Sequence, residues 1–198
     1  MGEPKILRRQ TDDGMMLIGE CGEDVRIAST VIIKRPEIVR IGNRVAIDDF
    51  AYISCKATFG NVIHAAVGLY VIGYGSELIV EDFCNFSPRC TVICATDSWM
   101  GDEGGLVSPL IPDGYRNKVI KEPVVMRKYS GLGTGATLLS GAELGEGAML
   151  GINSFTDKKI PPFEIWVGSP AKYLKKRPKE AILRSADILR EQHPEWFV

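Results

Sequence analysis

Residues 126–154 read MRKYSGLGTGATLLSGAELGEGAMLGINS. Taken in sixes, Met126, Leu132, Leu138, Leu144 and Leu150 open successive hexads, and Ser130, Ala136, Ala142, Ala148 and Ser154 stand four places later in each. One row is large and aliphatic; the other is small throughout. Gly133, Gly145 and Gly151 follow directly behind three of the large residues. A helix repeats at about 3.6 residues and an alternating strand at about 2, so neither makes this pattern. A period of six with one large inward position fits a short strand, a bend and another short strand. Three such sides close a triangular coil, and coils stack into a solenoid. The large row then fills the interior, the small row sits where the wall turns, and the glycines are expected to supply bend angles that other residues avoid.

The same rhythm extends towards the N-terminus. It begins at Cys21, with Ile27 and Ile33 large and Val25 and Val31 as partners. Residues 35–40 break register by two, a small bulge at a corner holding Pro36. Register then holds from Ile41 through Ile47, Ile53, Phe59, Ala65 and Val71, partnered by Val45, Ala51, Ala57, Ile63 and Leu69. Around Ala65 large and small have traded places, a volume-conserving arrangement that cores tolerate. Residues 73–78 add three positions and read as a short loop, after which Val80, Phe86 and Val92 resume the pattern with Cys84 and Cys90 in the small row. Residues 97–121 have no six-fold rhythm. They mix glycine, proline, charge, Trp99 and Tyr115, and long insertions of this kind usually carry function.

The regular coils are expected to end within 156–162, where Pro161 and Pro162 cannot donate to a ladder. Residues 178–192 read as a helix with Ile182, Ala186 and Leu189 on one face, expected to cover an open end of the solenoid. The organisation is therefore an N-terminal cap over 1–20, a solenoid over 21–176 with an inserted loop at 97–121, and a C-terminal helix and tail over 177–198.

Composition narrows the function. The 198 residues suit one domain with a substantial core, and a net charge of -1 with a pI near 6.2 gives no nucleic-acid footprint. No apolar run approaches a membrane span, and the charged N-terminus has no signal-peptide segment, so a cytoplasmic protein is expected. Cys21, Cys55, Cys84, Cys90 and Cys94 are odd in number, which argues against a disulfide framework, and two histidines, His64 and His193, are too few for a histidine-rich metal site.

These hexads, followed by Gly168-Ser169-Pro170-Ala171 and a basic stretch, resemble the hexapeptide-repeat acyltransferases, in particular the galactoside-type and lipopolysaccharide-biosynthesis sugar acetyltransferases. The resemblance covers roughly residues 21–176. It implies an all-β fold, a left-handed parallel β-helix with an extruded loop and a C-terminal α-helix. It also implies a homotrimer with active sites between subunits and acetyl-coenzyme A as acyl donor. The acceptor would be a sugar or nucleotide-linked sugar, through its hydroxyl or its amine.

Residue by residue, the resemblance places the pantetheine on Gly131, Gly133, Thr134, Gly151 and Ile152, and the phosphates near Lys158, Ser169, Lys172, Lys175, Lys176 and Arg177. Lysine and arginine supply charge-assisted contacts to phosphate. Gly131 stands where the family often has tryptophan. In galactoside-type enzymes a histidine precedes the long loop; here that position is Ser98, and Asp97 beside it is the second catalytic candidate, expected to orient or assist. His64, in the corner segment Asn61-Val62-Ile63-His64-Ala65, is the remaining candidate base, with Asp82 and Asp97 expected within a coil or two of it. An acceptor amine that arrives deprotonated would need no protein base. Asp82, Ser98, Trp99 and Tyr115 are the acceptor-binding candidates. A carbonic anhydrase on this fold would need three histidines on zinc. A non-catalytic scaffold and a xenobiotic acetyltransferase remain as alternatives.

Overall fold

The computed structural model describes residues 8–11, 14–17, 19–98, 105–112 and 114–197. Three parallel sheets form the walls of a three-sided β-helix, as the hexads imply. Face one stacks Glu20–Cys21, Val39–Ile41, Lys56–Phe59, Glu77–Val80, Val124–Met126, Glu143–Leu144 and Lys159–Ile160. Face two stacks Arg26–Ile27, Val45–Ile47, Ile63–Ala65, Asn85–Phe86, Gly131–Leu132, Met149–Leu150 and Glu164–Gly168, and face three Ile32–Ile33, Tyr52–Ile53, Tyr70–Ile72, Thr91–Ile93, Thr137–Leu138 and Phe155–Thr156. The ladders align the large row coil on coil: Phe59, Val80, Met126 and Leu144 on face one, Phe86, Leu132 and Leu150 on face two. All seven are buried, as are Ala136, Ala142 and Ala148. The exchange around Ala65 holds, with Ile63, Ala65 and Leu69 all inside.

The glycines behind the leucines serve a different purpose from the one the pattern suggests. Gly133, Gly145 and Gly151 do not adopt positive φ. A Cβ on Gly133 would lie 2.7 Å from the backbone nitrogen of Ile152 one coil on, and one on Gly145 2.7 Å from that of Pro162. They are small because successive coils nearly touch there. The left-handed positions fall two residues later or on large side chains: Gly135 and Gly147, but also Phe83 (φ 61) and Tyr129 (φ 63). At these corners the N–H donates to the coil below, Phe83 to Asn61 O at 2.9 Å and Tyr129 to Asp82 O at 3.1 Å, which holds a conformation costing roughly 1–2 kcal/mol.

Two expectations are corrected. The solenoid does not end at the prolines: Pro161 and Pro162 occupy a corner, where no ladder N–H is required, and Glu164–Gly168 continues face two beside Met149–Leu150. The chain then turns at Gly168-Ser169-Pro170-Ala171, and Ala171–Lys176 returns antiparallel along Glu164–Gly168. The helix, Lys179–Gln192, does not cover an end. It lies along the edge between faces one and two, its Ile182, Ala186 and Leu189 facing Phe83 and Tyr129 across an apolar groove. Those two rings stack at 5.3 Å, Arg190 lies over both, and Phe197 reaches Phe83 at 5.2 Å. Farther along the same edge Arg44 lies 3.9 Å over Trp196. Aromatic corners aligned by the coil period make an apolar ridge, and an amphipathic helix covers it. Ahead of the first coil, Arg8–Thr11 and Gly14–Leu17 pair as an antiparallel hairpin.

Candidate functional site

His64 sits on face two between inward Ile63 and Ala65, so its ring points outward. Its Nε2 lies 2.8 Å from Asp48 Oδ2, one coil earlier, and both side chains are about half exposed. With Nε2–H donated to the carboxylate, the ring lone pair is on Nδ1. A carboxylate in that place fixes the tautomer and the orientation of the ring. Asp48, which the sequence did not single out, is thus the partner the fold supplies. Asp82 and Asp97 are engaged elsewhere. Asp82 Oδ1 accepts from the backbone N of Asn61 at 2.8 Å, in a side-chain ladder up the edge between faces one and two that also includes Asn43. Asp97 is buried against Arg116, whose Nε donates to Oδ1 at 2.6 Å. Asp48 was legible in principle: it follows inward Ile47 as His64 precedes inward Ala65, which brings the two side chains diagonally together.

Beyond His64 on face two, the outward column continues through Asn85 and Gly131 to Met149. Gly131 carries no side chain, and the flexible Met149 thioether lies over it, 3.0 Å from where a Cβ would be. Gly133, Thr134, Gly151 and Ile152 follow towards the edge between faces two and three, where Ile152 is 69% exposed. Ser169 donates from Oγ to Asn153 O at 3.0 Å on that same edge. The outward positions of face two thus run coil on coil from His64 through Asn85, Gly131 and Met149 to Ile165, just ahead of the turn at residues 168–171.

The basic candidates divide. Lys172 and Lys175 are exposed. Lys176 pairs with Glu164 at 2.7 Å. Arg177 is committed to the fold: its Nη1 donates to Gly147 O at 2.7 Å and Tyr129 O at 3.1 Å, and burial pushes its pKa down. Lys158 stands on another edge, between faces three and one, 3.6 Å from Asp157.

The inserted loop leaves from that other edge. Ala95–Asp97 and Val119–Lys121 form its antiparallel base. The Asp97–Arg116 pair and buried Asn117 clamp it, Asn117 Nδ2 donating to Ser98 O at 2.7 Å. Ser98 is half-buried in this base and Tyr115 is 73% exposed; Trp99 lies outside the described residues. A cavity of about 520 Å³ opens beneath, lined by Tyr74, Thr96, Asp97, Arg116 and Lys121 among others. Another cavity, about 570 Å³, lies on the edge between faces one and two. There Arg127 bridges Glu81 and Glu143, and its hydrogen bond holds the Glu143 carboxyl below the usual carboxylate range.

Among the described residues no three histidine, cysteine or acidic side chains gather around a metal position, and no helix is long and apolar enough to cross a membrane.

No family model matches the chain. It is 29% identical over 164 residues to the dTDP-4-amino-4,6-dideoxy-D-glucose acyltransferase of Escherichia coli, covering 81% of this chain and 83% of that one. It superposes on AntD, an N-acyltransferase from Bacillus cereus solved with dTDP and 3-hydroxybutyryl-CoA, with a TM-score of 0.81 at 30% identity, over 87% of this chain and 90% of AntD. The chain belongs to the hexapeptide-repeat acyltransferases. A hexapeptide-repeat acetyltransferase from Vibrio cholerae shares the fold alone, with a TM-score of 0.55 at 16% identity over 80% of this chain and 74% of that one. AntD has also been solved with substitutions at a serine and at an aspartate ten positions later. In this hexapeptide-repeat enzyme Ser87 and Asp97 have that separation.

Proposed function

We propose that the protein acylates the amine of a nucleotide-linked amino sugar, with His64 as the base. The observation that carries this reading is the superposition on AntD, an enzyme solved with both a nucleotide and an acyl-coenzyme A, over nearly the whole chain. The E. coli relative's 4-amino sugar supports an amine over a hydroxyl. The amine lone pair attacks the thioester carbonyl carbon and the C–N bond forms. Nδ1 of His64 takes the nitrogen's proton, Asp48 holds the resulting imidazolium, and C–S cleavage releases coenzyme A, which regains a proton from the ring. The donor lies along Gly131, Gly133, Thr134, Gly151 and Ile152, with Ser169, Lys172 and Lys176 at its phosphate end.

The acceptor occupies the loop edge, near Asp97, Ser98 and Tyr115. Ser87, whose spacing to Asp97 matches the serine and aspartate substituted in AntD, stands on the donor side, its N–H donating to Leu132 O at 3.0 Å. His64 and the loop edge lie on different sides of one prism, separated by a wall about six residues wide, roughly 20 Å. One chain does not bring them together, whereas a neighbouring copy does; hence a homotrimer with sites between subunits, in which Lys158 also reaches a neighbour's donor. Exposed Ile32, Phe50, Val67 and Tyr70, on face three and its edge with face two, supply an apolar contact for that copy. Five unpaired, buried cysteines suit a cytoplasmic enzyme that modifies a surface-polysaccharide precursor such as a lipopolysaccharide sugar.

The test is amide formation. The purified protein is mixed with acetyl- or 3-hydroxybutyryl-coenzyme A and dTDP-4-amino-4,6-dideoxyglucose, and products are read by mass. Acylated sugar is expected with at least one donor. Failure to bind coenzyme A by calorimetry would remove the reading altogether.

A further inference from the structure

Every departure from the six-residue period falls on one edge of the prism, between faces three and one. Inward Ile33 to Ile41 takes eight positions, Val71 to Val80 nine, Val92 to Met126 thirty-four, and Thr156 to Ile160 four. The other two edges keep the period. Where the chain swells on this edge, two cavities adjoin, the one of about 520 Å³ under the loop and one of about 380 Å³, and they share Lys121.

Four cations line them, Arg35, Lys56, Arg116 and Lys121, against two carboxylates, Glu77 and Asp97. Both carboxylates are taken: Glu77 by Lys56 at 2.9 Å and Asp97 by Arg116. Among the described residues Arg35 and Lys121 have no carboxylate partner, so the edge carries two uncommitted positive charges. Ser76 lines the smaller cavity with its Oγ buried and without a hydrogen-bond partner. A buried hydroxyl in that state is destabilising until something meets it. Between the cavities stands Tyr74, 74% exposed, with the Arg35 guanidinium 4.9 Å from its ring centre. Arg35 covers one face of the ring, and the exposure leaves the other open.

An open aromatic face beside uncommitted cations and an unmet hydroxyl matches a nucleoside phosphate. A base stacks on any aromatic face, and phosphate oxygens take charge-assisted hydrogen bonds from lysine and arginine. We infer that this edge binds the nucleoside diphosphate of the acceptor, with Tyr74 under the base and Arg35 and Lys121 on the diphosphate. The inference rests on the acyl-transfer reading above and names the residues that select the acceptor. Coenzyme A also carries an adenosine with phosphates, so the experiment separates the two sources.

Calorimetry with dTDP and, separately, with coenzyme A is run on the full-length wild type and on Lys121→Gln, Arg35→Gln and Tyr74→Ala, each checked for an unchanged melting profile. dTDP is expected to bind about tenfold more weakly to the variants, while coenzyme A binds as to wild type. Weakened coenzyme A binding with dTDP unaffected would assign the edge to the donor and overturn the inference. So would unchanged binding of both in folded variants. Wild type that binds coenzyme A but none of dTDP, UDP and GDP would also overturn it while leaving acyl transfer standing.

Discussion

The late coils and the edge between faces three and one are built from the same chain under opposite constraints. From Met126 to Thr156 the large positions recur without error, because each must land on the one below in a closed core. On the other edge the chain gains two, three and twenty-eight residues and later loses two, yet the ladders on either side stay aligned. The difference shows where a solenoid tolerates change. Extra residues at a corner can loop outward and leave the inward rows in place, whereas one within a strand would turn the following side chains to the wrong face. The tolerant edge is also where the loop, its cavities and the uncommitted cations are found.

A single-residue insertion within a strand, between Gly131 and Leu132, tests this contrast most severely. It would expel several buried leucines, each worth about 2–5 kcal/mol, and denaturant titration should find the late coils unfolded. One residue inserted after Pro109 in the loop should cost well under about 0.6 kcal/mol, since loop closure depends only weakly on length. Comparable losses at the two places would mean that the edge is not tolerant.

His64→Ala sharpens the division of labour between the edges. Turnover should fall about a hundredfold, with melting temperature and coenzyme A binding retained. Near-normal turnover would move the base elsewhere or show that the amine arrives deprotonated. Asp48→Asn keeps a hydrogen-bonding group of the same shape but removes the charge behind the ring, and should cost about tenfold in kcat with KM for the donor unchanged. A loss confined to KM would make Asp48 a binding residue instead.

The smallest effect is expected on the edge between faces one and two. Because Arg127 holds the Glu143 carboxyl low, that pair's contribution to stability is complete above the ordinary carboxylate range and is lost as pH falls through the depressed value. Glu143→Gln should therefore make the acid side of a melting-temperature profile shallower, and lower stability at neutral pH by a few tenths of a kcal/mol. An unchanged acid side would show that the pair contributes nothing measurable.

Much of the fold was legible in residue order. The hexads give the three walls, the register breaks at 35–40 and 73–78 and the loop at 97–121, because core packing leaves a periodic mark on the sequence. The corner rings left no such mark. Phe83 and Tyr129 are forty-six positions apart, and nothing periodic announces that they stack and draw the helix along the side. The prolines do not stop the coils for a related reason: a residue that cannot join a ladder is harmless where the ladder pauses. At the candidate site the residue order points to His64, the late-coil glycines and the loop as candidates, but it does not single out Asp48, the carboxylate that meets His64.

By itself, then, the order of residues determined the coil, its period and which side chains lie inside. Only the tertiary structure decided that Asp48 stands behind His64, that Arg177 is committed to backbone carbonyls, and that every irregularity shares one edge. The physical reason is that burial acts on each residue through its place in the period. Contacts between coils depend on the accumulated length of chain between them, and no single stretch of sequence displays that sum.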